Sequence, residues 1–145
     1  MMIKNKGKDN AGKKNRILVN FNIKTNPSER APALEALSKH PLAYIPKWQN
    51  QYAYMRDLNE SQFVASPPGN GVDCHRTWEA LYLGTIPIVK TSVCMEFFKS
   101  LGLPIIDVIS YDNIDKVLQE PTKNDASETR AVYLQYWMEK INNGS

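Results

Sequence analysis

Long apolar runs are missing from this chain. None approaches the roughly 18 residues of a membrane span, which excludes a transmembrane helix by sequence. Positions 4 to 16 are charged and polar, so the N-terminus does not read as a secretory signal, and as written the product is expected to remain in the cytoplasm. Cysteine is scarce. Cys74 and Cys94 form neither a C-x-x-C pair nor a disulfide framework, and two free thiols in a reducing compartment are expected. Internal repeats are absent, and low complexity is confined to the first residues. The length of 145 residues is enough for one compact domain and too little for two.

Positive charge is short on the body of the chain. Lys4, Lys6, Lys8, Lys13, Lys14 and Arg16 face Asp9 alone, which outweighs the net +3 of the whole and leaves the remainder acidic. A nucleic-acid-binding fold carries its basic residues on the folded surface with aromatics between them. Residues 1–15 therefore read as a flexible basic leader, residues 16–145 as a single domain, and no nucleic-acid partner is expected. Hydrophobic residues make up 42% of the sequence, enough to bury a core.

What is present is an alternation. Ile17 to Phe21 is a short β-rich apolar run and reads as a first buried strand. Asn26-Pro27-Ser28-Glu29 combines a cap residue, a proline at the first helical position and a glutamate three residues on, which predicts a helix to about Lys39. Strands are predicted at Leu42–Ile45, Gln62–Ala65, Ile86–Val89 and Ile105–Ile109. Helices are predicted at Tyr52–Leu58, Asp73–Leu83 (closed by Gly84), Val93–Ser100, Asn113–Gln119 and Ser127–Ile141. This is the pattern of an α/β fold: a Rossmann-like, doubly wound, mainly parallel sheet of about five strands flanked by helices. Ligands of such sheets bind at the carboxyl ends of the strands, which directs attention to Asn22–Asn26, Ser66–Asp73 and Lys90–Ser92.

Ser66-Pro67-Pro68-Gly69-Asn70-Gly71-Val72-Asp73 joins a predicted strand to a predicted helix. Gly69, Asn70 and Gly71 tolerate positive φ, which lets successive amides face one concavity and hold a phosphate at the helix start. A plain Gly-Pro turn has the same composition. In the helix behind it, Cys74, Thr77, Trp78 and Leu81 share the side that packs on a sheet. His75, Arg76 and Glu79 share the other side, with the carboxylate about 5–6 Å further along the axis. That spacing suits a diphosphate followed by a ribose diol, since a carboxylate accepts two hydrogen bonds at once. It also suits a solvent face with an Arg76–Glu79 ion pair.

The run from Phe63 to Val89, with its Pro-Gly-x-Gly, Asp-x-His-Arg, Trp-Glu-Ala-Leu and Gly-x-x-Pro-Ile-Val elements, resembles the exostosin-like glycosyltransferases and their GT-B-fold relatives. Tyr54 to Gln62 is similar to the helix that leads into that family's motif. The resemblance implies a nucleotide-sugar-binding C-terminal half that holds a nucleoside diphosphate sugar for transfer to a hydroxyl acceptor. It places the diphosphate at Ser66, Gly69, Asn70, Gly71, His75 and Arg76, and the ribose at Glu79. It implies no metal, in agreement with two histidines and no ligand cluster. It also implies an N-terminal acceptor-binding domain or partner chain, which commonly supplies the base, and the chain as given is expected to be a fragment, a split half or a degenerate binding module. A Golgi lumen location belongs only to a longer chain of this kind. A non-catalytic nucleotide or sugar-phosphate binding module, or a regulatory domain whose Gly-rich loop only makes a turn, remains open. No catalytic residue is assigned; Asp73 and His75 qualify as bases by residue type alone. Lys24, Arg30, Asn20 and Asn22, with Lys90, Thr91 and Ser92, flank the expected cleft. Trp48, Trp137 and most tyrosines are expected in the core, and Val132, Tyr133, Tyr136, Trp137 and Ile141 have helical spacing.

Overall fold

A computed structural model describes residues 12–47, 49–71 and 75–118. Trp48, Asp73, Cys74 and everything expected beyond Leu118, including the helix at Ser127–Ile141, lie outside the described residues. In chain order the elements are β1 (Lys14–Leu18), α1 (Pro27–Ser38), β2 (Ala43–Tyr44), α2 (Gln51–Glu60), β3 (Ser61–Ser66) and α3 (His75–Leu83). They continue as β4 (Ile86–Lys90), α4 (Val93–Ser100), β5 (Ile106–Val108) and α5 (Ile114–Leu118), with short 3-10 turns at Ile23–Thr25 and Tyr111–Asn113. The strands form one five-stranded sheet in the order β2-β1-β3-β4-β5, and every neighbouring pair is parallel. This is the expected Rossmann-like lobe.

Strand alternation divides the core between two faces. Ile17, Phe63, Ala65, Ile86, Ile88, Ile106 and Val108 meet Ala33 and Leu37 of α1 with Tyr111 and Ile114 on one side. On the other, Leu18 and Val64 meet Leu58 of α2 and Ala80 of α3. Val89 continues that face beneath Trp78, Leu81, Met95 and Phe98. The Trp78 and Phe98 rings meet edge-on at 5.1 Å, which locks α3 to α4.

Two local predictions are corrected. The first strand begins at Lys14 and ends at Leu18 instead of covering 17–21. Its polar start pairs with Ser61 of β3, while β2 offers partners only to Ile17 and Leu18. Phe21 therefore leaves the sheet and packs beside Arg30. Asn26 does not cap α1 with its side chain; its amide donates to the Gly69 carbonyl at 3.0 Å instead. Pro27 does stand at the helix start, and Glu29, the expected partner of that cap, pairs with Lys90 at 2.7 Å. Gly84 closes α3 as expected, with φ 79°. Lys13 binds the Asn59 carbonyl, the Leu83 carbonyl and Thr85 Oγ1, so one ammonium covers the ends of α2 and α3 together.

Asp107 on β5 joins the far edge of the sheet to α4. It accepts from Lys99 at 2.8 Å and from the Thr91 hydroxyl at 3.1 Å. Burial works to raise its pKa, yet the Lys99 hydrogen bond and charge, with Thr91 and the backbone, together hold it below the ordinary carboxylate value. A depressed folded pKa stabilises above the unfolded value and is lost as pH falls through the folded one. Asp107→Asn should thus be less stable than the parent at pH 7, with the gap closing as pH drops below about 4. Urea midpoints across that range check this.

Candidate functional site

The strand order reverses at β1: the chain steps to β2 on one side and to β3 on the other. At such a point the chain leaves β1 and β3 toward opposite faces of the sheet, which favours a crevice at the carboxyl edge. A pocket of about 360 Å³ occupies this neighbourhood, within the range of small-ligand sites. Asn20 enters it just after β1. The approach to α2 and its first turn contribute Gln49, Asn50, Gln51 and Tyr54, and α3 contributes His75, Arg76 and Glu79.

The α3 side follows from helical periodicity. Thr77, Trp78, Ala80 and Leu81 are buried, and Glu79 between them turns toward α2. His75 is exposed, while Arg76 and Glu79 are half-buried. Glu79 is thus part of a pocket wall. Its Oε1 accepts from the Tyr54 hydroxyl at 3.1 Å, across the α2–α3 contact. Asn50 caps α2 by accepting from the Ala53 amide at 2.8 Å, which fixes the opposite wall.

Among the described residues of the Gly-rich loop, Ser66 to Gly71, none lines this pocket. Ser66 is buried, and its hydroxyl is hydrogen-bonded to Thr77 Oγ1 at 2.7 Å, which ties the end of β3 to α3. The Gly69 amide donates to the Gly71 carbonyl at 3.1 Å. Asn70 and Gly71 are exposed. Positive φ is not the reason for Gly69 or Asn70; among the described residues it occurs only at Gly84 and Gly102. Gly69 instead permits a close approach. A Cβ there would stand 2.7 Å from an Arg30 terminal nitrogen.

Arg30 is the residue whose role the sequence left least visible. Only 4% exposed, it donates through Nε to the Pro68 carbonyl at 3.1 Å and through a terminal nitrogen to the Asn22 carbonyl at 2.9 Å. Its guanidinium lies 5.5 Å from the centre of the Phe21 ring. The side chain therefore joins the loops after β1 and β3 from beneath. The remaining flank residues divide. Asn20 reaches the pocket, whereas Asn22 caps the 3-10 turn by accepting from the Lys24 amide, and Lys24 is exposed. Lys90 and Thr91 hold Glu29 and Asp107, and Ser92 caps α4.

Sequence reasoning missed Gln49, Asn50, Gln51 and Tyr54 as pocket residues. Their signal was the unbroken carboxamide run Gln49-Asn50-Gln51 at a helix start, which reads equally as a polar lead-in. Tyr52 and Tyr82 are exposed, against the expectation of buried tyrosines, and Tyr111 is buried. Among the described residues no group of three or more His, Cys, Asp or Glu could hold a metal ion, and no helix is long and apolar enough to cross a membrane.

The model of the RXYLT1 C-terminal domain family matches residues 47–143. The chain belongs to this exostosin-like glycosyltransferase family. No curated protein matches it. The matched span contains the Gly-rich loop and every pocket residue except Asn20, so the pocket belongs to the family's domain as well as to the crevice.

Gly69→Ala should cost about 1–3 kcal/mol of stability, because the new methyl displaces a buried guanidinium that holds two carbonyls. Gly12→Ala, with nothing within 4 Å, is the control and should change stability by less than about 0.5 kcal/mol. Thermal and urea unfolding of the two variants tests the difference.

Proposed function

We propose that the chain holds the nucleoside diphosphate portion of a sugar donor in the α2–α3 pocket, and serves transfer of that sugar to a hydroxyl acceptor. The observation that carries this reading is the placement of Glu79, half-buried in the pocket wall and oriented by Tyr54, one turn beyond His75 and Arg76. A carboxylate steadied through one oxygen is suited to accept from adjacent ribose hydroxyls. His75 and Arg76, at the start of α3 with the positive end of its dipole, provide for a diphosphate. In the loop that leads toward α3, Asn70 and Gly71 are exposed and available to the same diphosphate, while Ser66 and Gly69 are buried and hold the loop in place over the Arg30 guanidinium.

Family membership supports the transferase class. In such a transfer the nucleoside diphosphate is the leaving group. Cations placed where its negative charge develops lower the barrier more than they aid ground-state binding. Arg76 takes that role together with the positive end of the α3 dipole, and His75 stands beside it as a hydrogen-bond donor. An acceptor hydroxyl must lose its proton to a base, and none is assigned to this chain.

Glu79→Gln should weaken UDP, GDP or ADP binding by about 1.5–3 kcal/mol, the value of a hydrogen bond to a charged group. Inorganic pyrophosphate has no ribose and should bind the variant as well as the parent, or slightly better for the lost negative charge. Calorimetric titration of both proteins with both ligand types is the test. Equal losses for nucleotide and pyrophosphate would indicate a disturbed helix start and remove the ribose assignment. A parent chain that binds no nucleoside diphosphate would remove the proposed function.

A further inference from the structure

Beneath the pocket, and outside its lining, lies a buried carboxylate. Asp57 is only 3% exposed and faces two guanidiniums, with Arg56 at 3.3 Å and Arg16 at 3.7 Å from Oδ1. Arg16 is itself held, by Ser61 Oγ at 2.9 Å and over the Tyr44 ring at 4.0 Å. The second oxygen, Oδ2, accepts from the Tyr44 hydroxyl at 3.4 Å and from Gln49 Nε2. Gln49 Nε2 also lies 3.5 Å from the Ala53 carbonyl, and Gln49 Oε1 accepts from Asn20 Nδ2 at 2.6 Å. Gln49 and Asn20 are both pocket residues, from the loops before α2 and after β1.

This chain of bonds has a direction. A carboxylate between two guanidiniums only accepts, so Gln49 must turn its amino group toward Asp57. Both Gln49 N–H groups are then directed into the protein, and its carbonyl is the end left over. Asn20 can meet that carbonyl only with its own amino group. A carboxamide without such neighbours rotates between two nearly isosteric orientations that exchange donor for acceptor.

We propose that Asp57 is a positioning residue for this pocket: through Gln49 it sets the orientation of the Asn20 carboxamide, so that a bound ligand meets the Asn20 carbonyl oxygen as a fixed acceptor. The ligand part of the inference rests on the nucleoside diphosphate reading. The ligand class it favours is one with an O–H or N–H donor at the β1 side of the crevice, opposite Glu79. Alternating donors and acceptors in a sheltered network reinforce one another, so the orientation set at Asp57 is transmitted two side chains away.

The test uses the full chain with Gln49→Leu, Asn20→Ala, their double variant and Asp57→Asn, each checked for folding by thermal melting. Gln49→Leu cuts the relay while leaving Asp57 with both arginines, so it carries the test even if Asp57→Asn does not fold. In 1H–15N spectra without ligand, the Asn20 side-chain amide pair should move toward free-amide positions in Gln49→Leu and in folded Asp57→Asn. Unmoved Asn20 signals in Gln49→Leu would overturn the relay whatever the pocket binds. With UDP as probe, Gln49→Leu and Asn20→Ala should each weaken binding about three- to tenfold, and the double variant no more than Asn20→Ala alone. Multiplying losses, or parent-like UDP binding by Gln49→Leu, would overturn the ligand role. A parent that shows the spectral relay but binds no UDP, GDP or ADP would support the orientation and remove the nucleotide reading.

Discussion

Arg30 is a charge placed almost wholly out of water, in a position where two loops and a helix meet. A buried guanidinium is tolerated only when its donors are used, and here they reach backbone carbonyls of residues far apart in sequence, Asn22 and Pro68. Asn26 adds a second tie from the same region to Gly69. The carboxyl ends of β1 and β3, which strand order alone would let diverge, are thereby fastened to each other. Loss of the guanidinium would break both of these part-buried, charge-assisted hydrogen bonds. The absence of a Cβ at Gly69 follows from this constraint, since the loop backbone must lie against the guanidinium.

The pocket depends on the same frame from the other side. Leu58 of α2 and Ala80 of α3 pack on Leu18 and Val64, with Tyr54 and Leu83 against them, so the two helices share one seat on the sheet. Lys13 closes their carboxyl ends together. Their opposite ends face the crevice, where Asn50 caps one helix and His75 opens the other. The Tyr54–Glu79 hydrogen bond thus spans two helices packed together at one end and lining the pocket with polar side chains at the other. Family membership places the chain among the glycosyltransferases.

Much of this was legible in the sequence, for reasons that differ by element. Strand and helix alternation is a local signal: the β-rich runs at Gln62–Ala65 and Ile86–Val89 and the helical window Val93–Ser100 appear where expected because burial period and end residues lie within each segment. The two faces of α3 were readable for the same reason, and so was the glycine that closes it. Of the residues expected to meet a ligand, His75, Arg76 and Glu79 line the pocket, while Ser66, Gly69, Asn70 and Gly71 occupy the adjoining loop. Asp57, Gln49 and Tyr54 carried no comparable sign. A polar side chain on or just before a helix looks the same whether it faces solvent or a buried partner.

The sequence by itself determined the succession of elements up to Leu118, the α/β alternation that implies a parallel sheet, and the polar face of α3, because each is signalled by residues a few positions apart. Only the tertiary structure decided that Asn26 leaves its cap for Gly69, that Arg30 goes inward, and that Asn20, Gln49 and Asp57 form one line of hydrogen bonds. A hydrogen bond joins whatever donor and acceptor the fold brings within about 3 Å. Which groups those are depends on the order of strands in the sheet, and that order is set by packing across the whole chain.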